Sequence, residues 1–445
     1  MLALALIFYR ERAIFLDGAF QLVELINDQH FKVYHYRLTN PLTQILPLQG
    51  IWFKLPLKVI LALYSINFIL LFAFIYHLLV GWLKNDRLGW ALIFFFTLIT
   101  LDTFYFLPPE LYQGNALNLL LFGIVLKFPD LRWPAWVLPA VAVLAVLIVF
   151  SHKLTSFSFL FLWLFFWLHE KQLRNWFYLA LLLWVLTLNI LHGAFFMDWY
   201  DAAKQQEFTG NFQTHFPNFH RLPAHLVFLE NCIKHYYFLP VFFAAVLLFY
   251  AWKKQVWKLL LVAGFTLGYL LLVHIGSPDA PFRFYAEVNY LPMTLFVTVP
   301  LLFDVMPQVG REKWWVWLFA AIIVLRLNVI ANNANKFERR LAWYSDQLSQ
   351  SQALQTNRLL LKKDQAPMKQ VIMEWAAPFE TLLLSSLESP DSAKTLYIFE
   401  NLEPYREALE KDRYFLSVFR KIEVEKLNER YFDLGKGRYK MVISD

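Results

Sequence analysis

Arg10–His30, RERAIFLDGAFQLVELINDQH, sets Arg10, Glu11, Arg12 and Asp17 between a nine-residue apolar start and an amphipathic pattern in which Ala19, Leu22, Val23 and Ile26 share one helical face. Such a pattern fits a helix lying at a membrane interface, with Glu24, Asn27 and Asp28 turned elsewhere. The fold reading therefore turns on whether the chain crosses a membrane, and on which side this segment emerges.

The whole chain answers the first question. Its 445 residues are 58% hydrophobic, 19% aromatic and only 17% charged, outside the soluble range of about 45–50% apolar and 25% charged. A polytopic α-helical membrane protein is expected. The excess of 41 Lys and Arg over 34 Asp and Glu belongs to loops flanking membrane spans, and nucleic-acid binding is dismissed. One cysteine, Cys232, allows no intramolecular disulfide, and no Cys/His cluster has zinc spacing.

Apolar runs at 59–82, 88–107, 114–128, 133–150, 154–169, 175–196, 235–252, 256–275, 285–305 and 313–331 suggest about ten full transmembrane helices. The start, MLALALIFY, lacks a basic n-region and a small-residue cleavage site, and reads as the end of a truncated first helix in preference to a membrane-dipping start. Lys84/Arg87, Lys127/Arg132, Lys171/Arg174, Lys253/Lys254/Lys258 and Arg311/Lys313 fall in alternate connections, which the positive-inside rule makes cytoplasmic. Residues 10–57, the 197–234 loop and everything beyond 331 then face outward. The transmembrane domain is 1–331. The charged tail, 332–445, reads as a small outer α/β domain, helical over Asn335–Leu354, strand-like over Thr395–Phe399 and helical over Leu402–Phe419. A hairpin over Tyr431–Ser444 is expected to turn at Gly435-Lys436-Gly437.

A first span leading into Glu11-Arg12-x3-Leu16-Asp17-Gly18-Ala19-Phe20-Gln21, interfacial helices before the next span, about ten further helices and an outer C-terminal domain together resemble the GT-C superfamily of membrane glycosyltransferases. The resemblance covers most of the membrane part. It implies a polyprenyl-phosphate-linked sugar donor, with an acidic residue of the first outer loop as catalytic or acceptor-binding group. It also implies an undecaprenyl-type carrier, and with it a bacterial cytoplasmic membrane with the C-terminal domain on the outer face.

Sugar transfer from a lipid phosphate needs a carboxylate to deprotonate or orient the acceptor hydroxyl. Asp17 is the candidate, with capping of the helix that follows as its duller role. The leaving phosphate needs cations more than a general acid. Arg283, Lys153, His152 and Arg12 lie in outer connections at about headgroup depth. A salt bridge from Arg283 to Asp279 or Glu287, and snorkelling of His152 and Lys153, are the structural alternatives. Asp102, Glu110 and Glu287 are candidates for a second acid or an acceptor-binding group. A divalent metal is compatible with these scattered carboxylates but not indicated by them, and no cofactor is assigned. The partners expected are the donor, membrane lipids and an acceptor of unspecified class. The loop sequence 198–225 mixes aromatics with Gln, Asn and His in a way that suits sugar rings and interfacial loops alike, and His215, His220 and His225 read as loop residues. A transporter or lipid flippase, and a non-catalytic assembly protein acting through the tail, are the competing function classes.

Overall fold

A computed structural model describes residues 1–107, 110–129, 134–310 and 312–442. Arg132, Arg311 and the end of the expected hairpin at Ile443 and Ser444 lie outside the described residues. Each of the ten apolar runs contains a helix. Among the described residues, however, five helices are long and apolar enough to cross a membrane: Leu57–Trp82, Trp176–Phe195, Val256–Gly276, Arg283–Val309 and Lys313–Leu354. A sixth crossing arises if Pro223–Lys234 and Phe238–Trp252, bent by 95° at their junction, act together. Val137–Val149 and Thr155–His169 are apolar but short. The coarse expectation of a helical polytopic chain thus holds, while ten spans exceed what helix length and composition support.

The bundle places its large apolar side chains on both sides of the helices. Phe94, Phe95, Tyr112, Phe161 and Phe296 are buried between helices, whereas Trp176, Ile190, Leu248 and Trp257 point outward, as lipid-facing side chains do. Arg326 is wholly buried in Glu312–Asn332, where Nε and Nη2 donate to the carbonyls of Thr97 and Thr100 at 2.9 and 2.8 Å. These are carbonyls left open where the helix Asp86–Thr97 ends. A buried arginine is therefore a helix cap here.

Two features at one end of the bundle position the site. The amphipathic segment forms the helix Asp17–Asp28, but Ala19, Leu22, Val23 and Ile26 are covered by protein. On the same helix Phe20 packs edge-on to Phe379 of the C-terminal unit, with centroids 5.2 Å apart. The expected interfacial helix is thus an internal one. Its amphipathic pattern is satisfied by another part of the chain, which a periodicity alone does not distinguish from lipid. The 197–234 segment, expected as a loop, forms the helices Trp199–His215 and Pro223–Lys234, with Asp198 capping the first through a 3.0 Å bond from the Asp201 amide.

Among the described residues the C-terminal unit carries five strands: β1 (Arg358–Lys362), β2 (Thr395–Phe399), β3 (Tyr414–Leu416), β4 (Lys421–Glu423) and β5 (Lys440–Met441). The helix Ala334–Ser349 and the strand Thr395–Phe399 match the sequence reading. β1 is central and parallel to both β2 and β5, in the order β2-β1-β5. Its apolar run Leu359-Leu360-Leu361 is buried, as a parallel strand covered on both faces requires. Two expectations are corrected. Of Leu402–Phe419 only Arg406–Glu410 is α-helical, because Tyr414-Phe415-Leu416 pairs with β4 and buries Phe415 and Leu416. Gly435 does turn the chain, at φ +61°, but the following segment pairs with β1 rather than folding back on itself, and the Val442 amide donates to Leu360 at 2.8 Å.

Candidate functional site

Asp17 is the first residue of its helix, with Leu16 at the N-cap position, and its carboxylate has a hydrogen bond from its own backbone amide. Glu110, at the start of the helix Glu110–Lys127, is its nearest acidic influence and receives a 2.8 Å hydrogen bond from Asn40 Nδ2. Burial first, then the charge of Glu110, pushes Asp17 up to about 7 from the ordinary carboxylate range. Among the described residues neither acid forms an ion pair. Tyr34, Tyr64, Tyr200 and Tyr285 all lie within electrostatic range of Asp17. The hydroxyls of Tyr34 and Tyr64 are buried and unpaired. A buried cluster of two carboxylates without an ion pair and phenols without a hydrogen-bond partner is costly unless it serves a ligand.

Tyr200 links this cluster to a basic edge, being acted on by Asp17, Arg37, Glu110 and Asp201; burial and the acids raise its hydroxyl to about 12. Arg37 donates to Asp201 at 2.9 Å, and Lys153 Nζ lies 3.7 Å from the same carboxylate with 41% of its side chain exposed. Two cations thus share one acid, and Lys153 is the one open to solvent. His152 adjoins them. Burial, then Arg37 and Lys153, drives its pKa well below the usual imidazole range, so the ring is neutral. Its Nδ1 accepts from the Leu154 amide at 3.1 Å, which assigns the proton to Nε2 as a donor.

The other expected site residues assemble elsewhere. Asp102 is bound by Arg283 Nη2 and Lys336 Nζ, each at 2.7 Å, and by Asn333 Nδ2 at 2.9 Å. Lys336 and Arg283 supply the counter-charge that this buried carboxylate needs. Glu287 accepts from the amides of Leu101 and Thr103 at 3.0 and 2.9 Å and from Tyr236 Oη at 3.0 Å. Arg283 also touches His235 Nε2 at 3.0 Å and lies 3.7 Å from Glu287. Arg12 is fully buried, donating to Ser65 Oγ at 2.8 Å and stacking 4.0 Å over Phe104. Arg283 thus takes up the salt-bridge alternative, though with Asp102 as well as Glu287, and Arg12 fastens the first segment to the helix Leu57–His77. Among the described residues His, Cys, Asp and Glu form no group of three that would hold a metal ion.

No family model, curated protein or solved structure matches the chain.

The site contains residues that the sequence reading passed over. Arg37 and Tyr34 stand in the connection after Asp28, and Asp201 and Tyr200 in the segment read as a loop. The only sequence signal was the recurrence of charge and tyrosine in outer segments. The backbone before Asp17 is also unusual. Leu16 has φ 45° and ψ −123°, and the Gly18 amide donates to Phe15 at 3.0 Å, so Phe15–Gly18 is a type II′ turn with leucine where glycine is preferred. That conformation costs on the order of 1–3 kcal/mol. Burying the leucine side chain entirely, as here, contributes about 1.5–3 kcal/mol, which explains why leucine is tolerated.

Proposed function

We propose that the chain is a membrane glycosyltransferase of GT-C type that moves a sugar from a polyprenyl-phosphate carrier to a lipid, glycan or protein acceptor. The observation that carries this reading is Asp17: a partly buried carboxylate without a cationic partner, raised to about 7, joined through Tyr200 to the edge formed by Arg37, Lys153 and His152. An acid poised near neutrality is matched to general-base work.

In the reaction so assigned, Asp17 accepts the proton of the acceptor hydroxyl as its oxygen bonds to the anomeric carbon. The bond from that carbon to the phosphate oxygen breaks, and the electron pair leaves with the phosphate. Lys153 and Arg37 bind the carrier phosphate, and the Nε2 proton of His152 donates to the oxygen on which charge develops. Glu110 keeps Asp17 basic enough to act, and the tyrosines offer ring faces and hydroxyls to the sugar. The ten helix-bearing runs serve as the membrane domain, with the Asp17 end on the outer face of a bacterial cytoplasmic membrane. The loop charges at the opposite end support that orientation.

Purified protein in nanodiscs, given a radiolabelled polyprenyl-phosphate sugar and a mixed envelope extract as acceptor, is expected to release polyprenyl phosphate. Asp17→Asn should lower the rate about 10²–10⁴-fold. Equal rates for the two proteins would remove Asp17 from the mechanism.

A further inference from the structure

Among the contacts of the C-terminal unit with the Asp17 segment, one residue pair meets the turn just before the candidate base. Glu380, on the helix Ala377–Ser385, accepts the Leu16 amide on Oε1 at 2.6 Å, and Arg340 donates to its Oε2. Arg340, on Ala334–Ser349, also donates from Nη1 to the Ile14 carbonyl at 3.3 Å and lies 5.0 Å over the Phe15 ring. Its Nε is held by the Val371 carbonyl at 3.1 Å. The pair therefore grips the backbone on both sides of Phe15, across the strained turn whose next residue is Asp17. Both side chains are inaccessible, 0% exposed for Glu380 and 2% for Arg340. A buried amide of a residue in a disfavoured conformation has few other ways to be satisfied.

We propose that Glu380, fixed by Arg340, is a positioning residue that holds the Leu16 turn and thereby aims the Asp17 carboxylate, so that the C-terminal unit is part of the catalytic apparatus. The inference rests on the transferase reading for its effect on turnover, while its effect on the turn stands independently. Ion pairing alone, as a means of docking the unit, does not require the second carboxylate oxygen to meet the amide beside Asp17.

The test uses the full chain in nanodiscs, with hydrogen exchange read over residues 14–20 alongside kcat and the donor KM. Glu380→Gln keeps an acceptor for the Leu16 amide but takes the counter-charge from buried Arg340, so it should lower the thermal midpoint while its exchange over residues 14–20 stays slower than that of a variant with no acceptor. Removing one partner of a buried pair leaves an uncompensated charge, so the decisive variant replaces both, Arg340→Met with Glu380→Leu. It should fold and melt near the parent, exchange at least tenfold faster over residues 14–20, and lose at least tenfold in kcat with donor KM within twofold. Unchanged exchange in that segment overturns the proposal whatever the turnover. Faster exchange in a protein whose parent transfers no sugar upholds the clamp on the turn and sinks the transferase reading instead.

Discussion

Two acid clusters lie at the same end of this bundle and differ in one respect, their supply of cations. At Asp102 and Glu287, two carboxylates face Arg283 and Lys336, and nearly every oxygen has a hydrogen-bond donor. At Asp17 and Glu110, two carboxylates face tyrosines, and among the described residues Asn40 is the one side-chain donor to them. Burial is common to both. Paired with two cations, Asp102 is an anion that holds helices together. Asp17, without one, is pushed up to about 7 and exchanges its proton near neutrality, which is what a general base requires.

The contrast breaks first at the saturated cluster. Asp102→Ala strands Arg283 and Lys336 beside a buried site, and should destabilise the protein by about 3–5 kcal/mol, read as a lower thermal midpoint in detergent. A midpoint equal to the parent's would mean that this network is dispensable. A smaller effect separates the basic edge from the base: Lys153→Gln should raise the donor KM about tenfold, a loss of roughly 1.4 kcal/mol, and leave kcat near the parent value. A fall in kcat with KM unchanged would assign Lys153 to the transition state instead. The finest test concerns the pair itself. Glu110→Gln removes one of the charges that raises Asp17, so the rising limb of the pH–rate profile should move to lower pH by less than about one unit. An unmoved limb would uncouple the two acids.

The helical layout was legible because periodicity and run length report burial directly, and each apolar run contains a helix. The number of crossings was less legible: Val137–Val149 and Thr155–His169 are as apolar as their neighbours but too short to count by themselves. Asp17 and Lys153 were readable as outer-segment charges. Their separation from Arg283 and Arg12 was not, since helix order in space decides which end-of-helix charges meet. The same limit hid Arg37, whose partner Asp201 is 164 residues away, and Glu380, which meets Leu16 across 364 residues. The amphipathic face of Asp17–Asp28 was read correctly as a face but credited to lipid, because a sequence pattern does not say what covers it.

The central claim is that Asp17 is the base of a sugar transfer, and the pH dependence of single-turnover transfer from a labelled polyprenyl-phosphate sugar tests it most directly. With a folded pKa near 7, the carboxylate is protonated and idle below that value and ionised above it. The account predicts a rate that climbs about tenfold per pH unit below pH 6, levels above pH 8, and loses that limb in Asp17→Asn. A rate that is flat between pH 5 and 9, or a limb that survives in Asp17→Asn, would contradict it.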